Sequence, residues 1–261
     1  MTPESFAMVY RSVQPAIVVL PRLLPILLIV PVFSSTVLPG LVRNGVLAIV
    51  ALFISPSFDM ASLASLPPLM WVILVAKEAL IGILLAFGFS AVLWAIAAAG
   101  ALIDFQTGSG NAAFFDPIAE HEGGPTSGFL NLLAITLFVS GDGLNLLLGA
   151  LFESYKLWPI PSFTPRFEEA LLPFLEHSVT SIMSWTVRLA APVVIVLVLV
   201  EFGLGLIGRA MPQLNVFVMS QPVKSALAVL MMALFLSFVY ASLHGYLGPD
   251  NDLFGILRMM L

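Results

Sequence analysis

The sequence has no cysteine, which removes disulfide frameworks, thiolate metal sites and cysteine nucleophiles together. Charge is nearly as scarce, because only 10% of its 261 residues are Asp, Glu, Lys or Arg, against roughly a quarter in a soluble domain. A basic excess is missing too: ten Lys and Arg stand against fifteen Asp and Glu, for a net charge of -5. Nucleic acid, which needs a clustered basic surface, is therefore excluded as a partner. The three histidines, at 121, 177 and 244, fall in different predicted segments and give no metal-ligand spacing. No phosphate-binding glycine loop, paired metal-binding aspartates or zinc motif is present.

What remains is apolar. Sixty per cent of the residues are hydrophobic and the mean hydropathy is +1.07, so too little polar surface exists to cover a soluble body of this size. Two charge-free runs, Ala79–Ile103 and Ser225–Pro249, reach the roughly 20 residues that a membrane-crossing helix needs. The amino end is expected to be a retained helix rather than a cleaved leader. Its first charge is Glu4, and its apolar stretch from Val13 runs to Leu38 through Arg22 and prolines 15, 21, 25, 31 and 39.

Apolar runs and their breakers predict one all-α, multi-helix membrane-type unit. Its six segments are about Val13–Leu38, Leu41–Ile54, Leu69–Ile103, Phe129–Phe152, Val179–Ile207 and Ser225–Leu247. The second is too short to cross a bilayer upright, and the third carries the adjacent pair Lys77-Glu78. Asp104–Ser127 is expected to be non-helical, and the proline-rich Glu153–Pro173 lies between the fourth and fifth segments.

Three features fit poorly with a lone bundle in lipid. Prolines sit within or at the edges of helices, including Pro192 and Pro222, and each interior one frees a carbonyl that needs a partner. Arg188, Glu201 and Arg209 interrupt apolar stretches, which is expensive unless they face protein or water. Glu201 and Arg209 share one helix face about 12 Å apart, too far to pair directly, so each is expected to find a partner on another helix or chain. Finally, the loop cations divide almost evenly between the two sides and give no orientation signal. Gly82, Gly88, the Ala95–Ala101 run with Gly100, and Gly203-Leu204-Gly205 permit close backbone approach, within the chain or between subunits.

Enzyme readings fail motif by motif. Asp104 and Asp142 could be offered as an intramembrane aspartyl pair, but Val139 stands where that signature expects glycine. Gly108-Ser109-Gly110 has the look of a nucleophile turn, yet no histidine is placed to serve as its base. No catalytic residue, cofactor or metal is assigned.

The ordered set Ala191-Pro192, Glu201, Leu204-Gly205-Leu206, Arg209, Pro212-Gln213, Asn215, Phe217, Pro222 and Lys224 resembles the signature of the type III secretion export-gate subunit, the flagellar FliR and injectisome SctT family. Glu78 with Gly82, then Gly100, Ile103-Asp104, Gln106, Gly108 and Asp116-Pro117, stand in the same order, as does Ser154 before Pro159 and Pro161. The resemblance runs from about Arg22 to Lys224. The Tyr155-Lys156-Leu157-Trp158 stretch favours the injectisome branch. Ser140-Gly141-Asp142-Gly143 departs from the family by placing an acid where many relatives carry histidine or asparagine, and Ala119–Gly124 is more acidic than the family pattern.

The resemblance implies a single-copy subunit of a helical export gate in the bacterial inner membrane, within the secretion-system basal body. Its implied partners are five P/R-type and four Q/S-type subunits, a U/FlhB-type switch protein, membrane lipid, and unfolded protein substrates in transit. Residues 1–178 would resemble the P/R-type subunit and 179–261 the Q/S-type helical hairpin. The loop Gln106–Thr126 would be the family's lumen plug. Its own chemistry suits gating: Gln106, Gly108, Gly110 and Asn111 form a flexible polar strip, Phe114 and Phe115 an apolar tip, and Asp116 closes it. The two phenylalanines either occlude the lumen or anchor the loop on the bundle. Subunit packing and polar contacts fall to Glu78, Asp104, Glu201, Gly205, Arg209, Pro212, Gln213, Asn215 and Lys224. Asp104 either caps a helix end or lines the passage, and Glu201 and Arg209 are read as inter-helix partners rather than proton carriers. The alternative function is a secondary transporter for a small solute, a class that also uses broken helices and midplane charges.

Overall fold

A computed structural model describes residues 3–55, 63, 66–109, 124–163, 171–211, 213 and 216–246. Among these there is no strand. The helices are α1 (Pro3–Ile29), a 3-10 turn (Pro31–Phe33), α2 (Gly40–Ile54), α3 (Pro68–Thr107), α4 (Pro125–Ser140), α5 (Gly143–Leu157), α6 (Leu171–Ala210) and α7 (Val216–Tyr246). The chain is all-helical and membrane-type: α3, α6 and residues Met219–Ala241 of α7 are each long and apolar enough to cross a bilayer, and the α4–α5 pair is a fourth, bent candidate.

The described residues of Met1–Ser90 and Leu144–Leu175 form one compact unit; those of Ala91–Gly143 and Glu176–Asn251 form another. In the first, α1 packs on α2, and the α1 backbone at Arg22 comes so close to α3 that a Cβ on Gly82 would overlap the Arg22 carbonyl. In the second, Ala99 and Ile103 of α3 pack with Ala190, Val193 and Leu197 of α6 and Ala228 of α7. There, Gly100 admits the backbone of Ser127 at the start of α4. Gly82 and Gly100 are thus used inside the chain, whereas the Cβ positions of Gly203 and Gly205 face open space.

Several boundaries differ from those expected. The first segment starts earlier and ends at Ile29, where Pro31 opens a 3-10 turn. α3 continues through Asp104 to Thr107, whose hydroxyl donates to the Asp104 carbonyl. The predicted fourth segment is two helices, α4 and α5. The break falls at Gly141-Asp142-Gly143, where Asp142 takes a left-handed φ of 63°, a conformation its short polar side chain tolerates, and a Cβ on Gly143 would strike Phe138. α6 is described from Leu171, with Pro173 near that end. α7 begins at Val216 and runs through Pro222, since one interior proline removes a single hydrogen bond without ending a helix this long.

Two glycines should respond in opposite senses. Gly82→Ala should destabilise the chain by about 1–3 kcal/mol, as overpacking against rigid backbone does. Gly149→Ala on α5, with nothing within 4 Å of the new methyl, should gain about 0.5–1 kcal/mol of helix preference. Unfolding in mild detergent measures both, and equal shifts would contradict the close α1–α3 approach.

Candidate functional site

The first unit buries a cluster of charge. Arg22 on α1 is 0% exposed. Its Nε donates to Glu78 Oε2 at 2.7 Å, its Nη1 to Ser154 Oγ at 2.9 Å, and its Nη2 to the Trp158 carbonyl at 3.0 Å. The guanidinium carbon lies 4.0 Å over the Tyr155 ring, a contact worth about 2 kcal/mol when desolvated. Tyr155 in turn donates its hydroxyl to the Val19 carbonyl. Glu78 and Gly82 stand one helical turn apart on α3, so the same face that admits the Arg22 backbone also presents the carboxylate that receives its side chain.

Lys77 completes the cluster from α3. Its ammonium has three protons, and they reach the carbonyls of Pro159, Ile160 and Ser162 at 3.2, 3.0 and 3.0 Å. Glu78 Oε1 lies 2.7 Å from Lys77 Nζ as an ion pair yet receives no aligned hydrogen bond, which agrees with those protons pointing elsewhere. Two cations therefore share one carboxylate. The balance comes from the backbone carbonyls of the turn that follows α5, at Trp158, Pro159, Ile160 and Ser162. Pro159 and Pro161 stop that helix and leave the carbonyls turned inward.

The second unit holds a polar arrangement at the end of α3. Asp104, 2% exposed, accepts from the backbone N–H groups of Thr126 and Ser127 at 3.1 and 2.7 Å, and from Ser109 Oγ at 3.1 Å. The N-cap residue of α4 is Gly124, which has no side chain to offer; Asp104 fills that role from another helix. Beside it, Gln106 donates to Glu201 at 2.9 Å, and Lys224 Nζ lies 3.2 Å from the same Glu201 oxygen while donating to the Gln106 carbonyl at 3.3 Å. Gly108 has φ +81°, and the Gln221 side chain occupies the space its Cβ would need.

The structure thus places Glu78 in the buried cluster, and Asp104, Gln106, Gly108, Glu201 and Lys224 around the end of α3. Arg209 and Gln213 are exposed, as is Gly205. Gly110, Asn111, Phe114, Phe115, Asp116, Pro212 and Asn215 lie outside the described residues. Sequence reasoning did not select Arg22, Lys77, Tyr155 or Trp158 as a site. The signals were a lone cation in a proline-rich apolar stretch and a Lys-Glu pair inside α3, two marks of internal pairing. Among the described residues no group of three or more His, Asp or Glu could hold a metal ion.

Residues 13–248 match the sequence profile of bacterial export proteins, family 1. The chain is 35% identical over 229 residues to Yop proteins translocation protein T of Yersinia pestis, covering 87% of this chain and 88% of that protein. It is 35% identical over 236 residues to surface presentation of antigens protein SpaR of Salmonella typhimurium, covering 89% and 83% of the two chains. Flagellar biosynthetic protein FliR of Bacillus subtilis is 28% identical over 217 residues, covering 81% and 82%.

Glu78→Gln, which leaves Arg22 and Lys77 buried with no carboxylate, should cost about 3–5 kcal/mol, the usual result of orphaning a buried charge. Adding Arg22→Met, which removes one of the two unpaired cations, should give back part of that loss, with a coupling of about 0.5–3 kcal/mol between the two sites. A double-mutant cycle by unfolding in detergent measures the coupling; strict additivity would mean the two side chains do not act together.

Proposed function

The chain belongs to the bacterial export proteins, family 1, and from that premise we propose that it is a core subunit of the type III secretion export gate. With P/R-type and Q/S-type subunits and a U/FlhB-type switch protein, it would form the passage by which unfolded proteins cross the bacterial inner membrane at the basal body. The closer identities lie with the translocation and antigen-presentation proteins named above, which favours the injectisome branch. Its contribution is structural, with no catalytic step assigned to any side chain.

One observation carries the reading. α6 has 40 residues, about 60 Å of helix, against about 30 Å of bilayer hydrocarbon. Even at a tilt of about 40°, the upper end of the usual range, more than 40 Å of it would span the membrane normal. Only 17% of its most apolar stretch is buried within the chain, against 72% for α3. That open face carries the exposed Arg188 and Arg209 among exposed Val187, Val198 and Phe202. A surface too long for the bilayer, apolar and interrupted by arginines is suited to sister helices that bury aliphatic side chains and supply carboxylates or carbonyls. On this reading residues 179–261 correspond to the Q/S-type hairpin, residues 1–178 to the P/R-type fold, and Gln106–Thr126 to the lumen plug, with Phe114 and Phe115 as its apolar tip.

Purification from membranes in mild detergent should yield the chain in a large complex with two smaller apolar partners. A stable monomer or small homo-oligomer that accumulates a solute by itself would replace this reading with a secondary transporter. Deleting Asn111–Phe115 should raise ion leakage through the assembled complex while leaving its composition intact. Unchanged conductance would count against the plug.

A further inference from the structure

α2 is 15 residues long, about 22 Å, and Ala51 and Ile54 are its only buried residues. It packs on α1, and the Phe53 ring meets Phe152 of α5 edge-on at 5.9 Å. The exposed positions, among them Leu41, Val42, Ile49, Leu52 and Phe53, cover about half of its circumference. Polarity on this helix changes along the axis rather than around it. Arg43 and Asn44 fall within the first turns, shortly after a segment in which the Ser34 and Thr36 hydroxyls share a hydrogen bond of 2.8 Å. From Gly45 to Ile54 there is no polar side chain at all. The two ends are also closed differently. Ser55 turns its N–H to the Ala51 carbonyl and its hydroxyl to the Leu52 carbonyl at 3.0 Å, so two end carbonyls are answered without water. At the other end Pro39 offers no side-chain cap. The first amides of α2, on exposed Gly40, Leu41 and Val42, are left for water or phosphate oxygens.

We propose that α2 is a lipid-facing element that enters a single leaflet, Ile54 end first, with Arg43 and Asn44 at the level of the phosphates. The apolar length fits: Gly45–Ile54 spans about 15 Å, half of the roughly 30 Å hydrocarbon core. A bilayer passes from charged phosphate to acyl chain in one direction, and a helix polar at one end only matches that gradient. Arg43, near the helix end, reaches the phosphates on its own aliphatic stem. A sister helix lying alongside would meet α2 over its whole length and gives no reason for charge to be confined to one end. α6 differs on both counts, since it outruns the bilayer and carries exposed arginines at two distant levels. This placement of α2 stands apart from the gate reading, because a lone transporter would present the same helix to the same leaflet.

Because the chain has no cysteine, spin labels can be placed singly. Asn44→Cys, Ala48→Cys and Leu52→Cys lie on one exposed face, a turn apart. Each is labelled with a nitroxide in the full chain with its companions, all otherwise cysteine-free, in vesicles of phosphatidylcholine with a minority of phosphatidylglycerol. Depth is read from collisions with dissolved oxygen, which concentrates in hydrocarbon, and with a polar nickel chelate, which stays in water. Oxygen access relative to chelate access should rise stepwise from Asn44 through Ala48 to Leu52, a shift of up to about 12 Å in depth. A Leu52 label shielded from both reagents would mean that protein covers the face, and one as open to the chelate as Asn44 would mean water; either overturns the proposal. Equal depth at all three positions would overturn end-first entry. Ile49→Cys, also exposed, gives the deep reading if Leu52→Cys fails to assemble. If the chain purifies alone and still shows the stepwise profile, the gate reading falls and the leaflet placement stands.

Discussion

Arg22 cannot be placed in an apolar interior unless every face of its guanidinium is answered, because each unpaired buried ion costs several kcal/mol. The first unit is arranged around that requirement. Glu78 supplies the countercharge, Ser154 and Trp158 the remaining acceptors, and Tyr155 the aromatic face. Satisfying one side chain brings α1, α3 and the end of α5 together, three segments that no local preference would join. Lys77 extends the same logic to the turn after α5, where prolines have left carbonyls without helical partners. Aliphatic packing alone would leave these elements free to slide; directional hydrogen bonds to a fixed fork do not.

The polar groups fall into two kinds. Those in the buried cluster and around Asp104 find their partners within the chain. Arg188 and Arg209 are exposed on the largely uncovered apolar stretch of α6. The first kind shapes the subunit, and the second is what a partner would meet. The glycines divide the same way: Gly82 and Gly100 admit a neighbouring backbone, while the space over Gly203 and Gly205 is open.

Much of this was legible beforehand. Hydropathy and charge-free runs located the long helices, and the bounds of α2 differ from expectation by one residue, since Pro39-Gly40 is a strong local stop. The missed features depend on distant partners. Nothing near Asp104 says that its carboxylate will cap a helix starting at Pro125, so the end of α3 read as a loop. The break at Gly141–Gly143 sits inside an apolar run whose composition suits a continuous helix, and only the two glycines around Asp142 marked it. Arg22 stood out as a cation among prolines, but its partners lie 56 to 136 residues away, beyond the reach of any periodicity.

That separation bears on how the chain is made. Lys77 and Glu78 emerge from the ribosome some 80 residues before Trp158 and the carbonyls that follow it, and Arg22 earlier still, an interval of at least about 4–16 s at ordinary elongation rates. For that time a nascent, greasy polypeptide holds two cations and one carboxylate whose carbonyl acceptors do not yet exist. Its early helices must wait, hydrated or escorted by the insertion machinery, and the unit closes only when the proline turn has been translated.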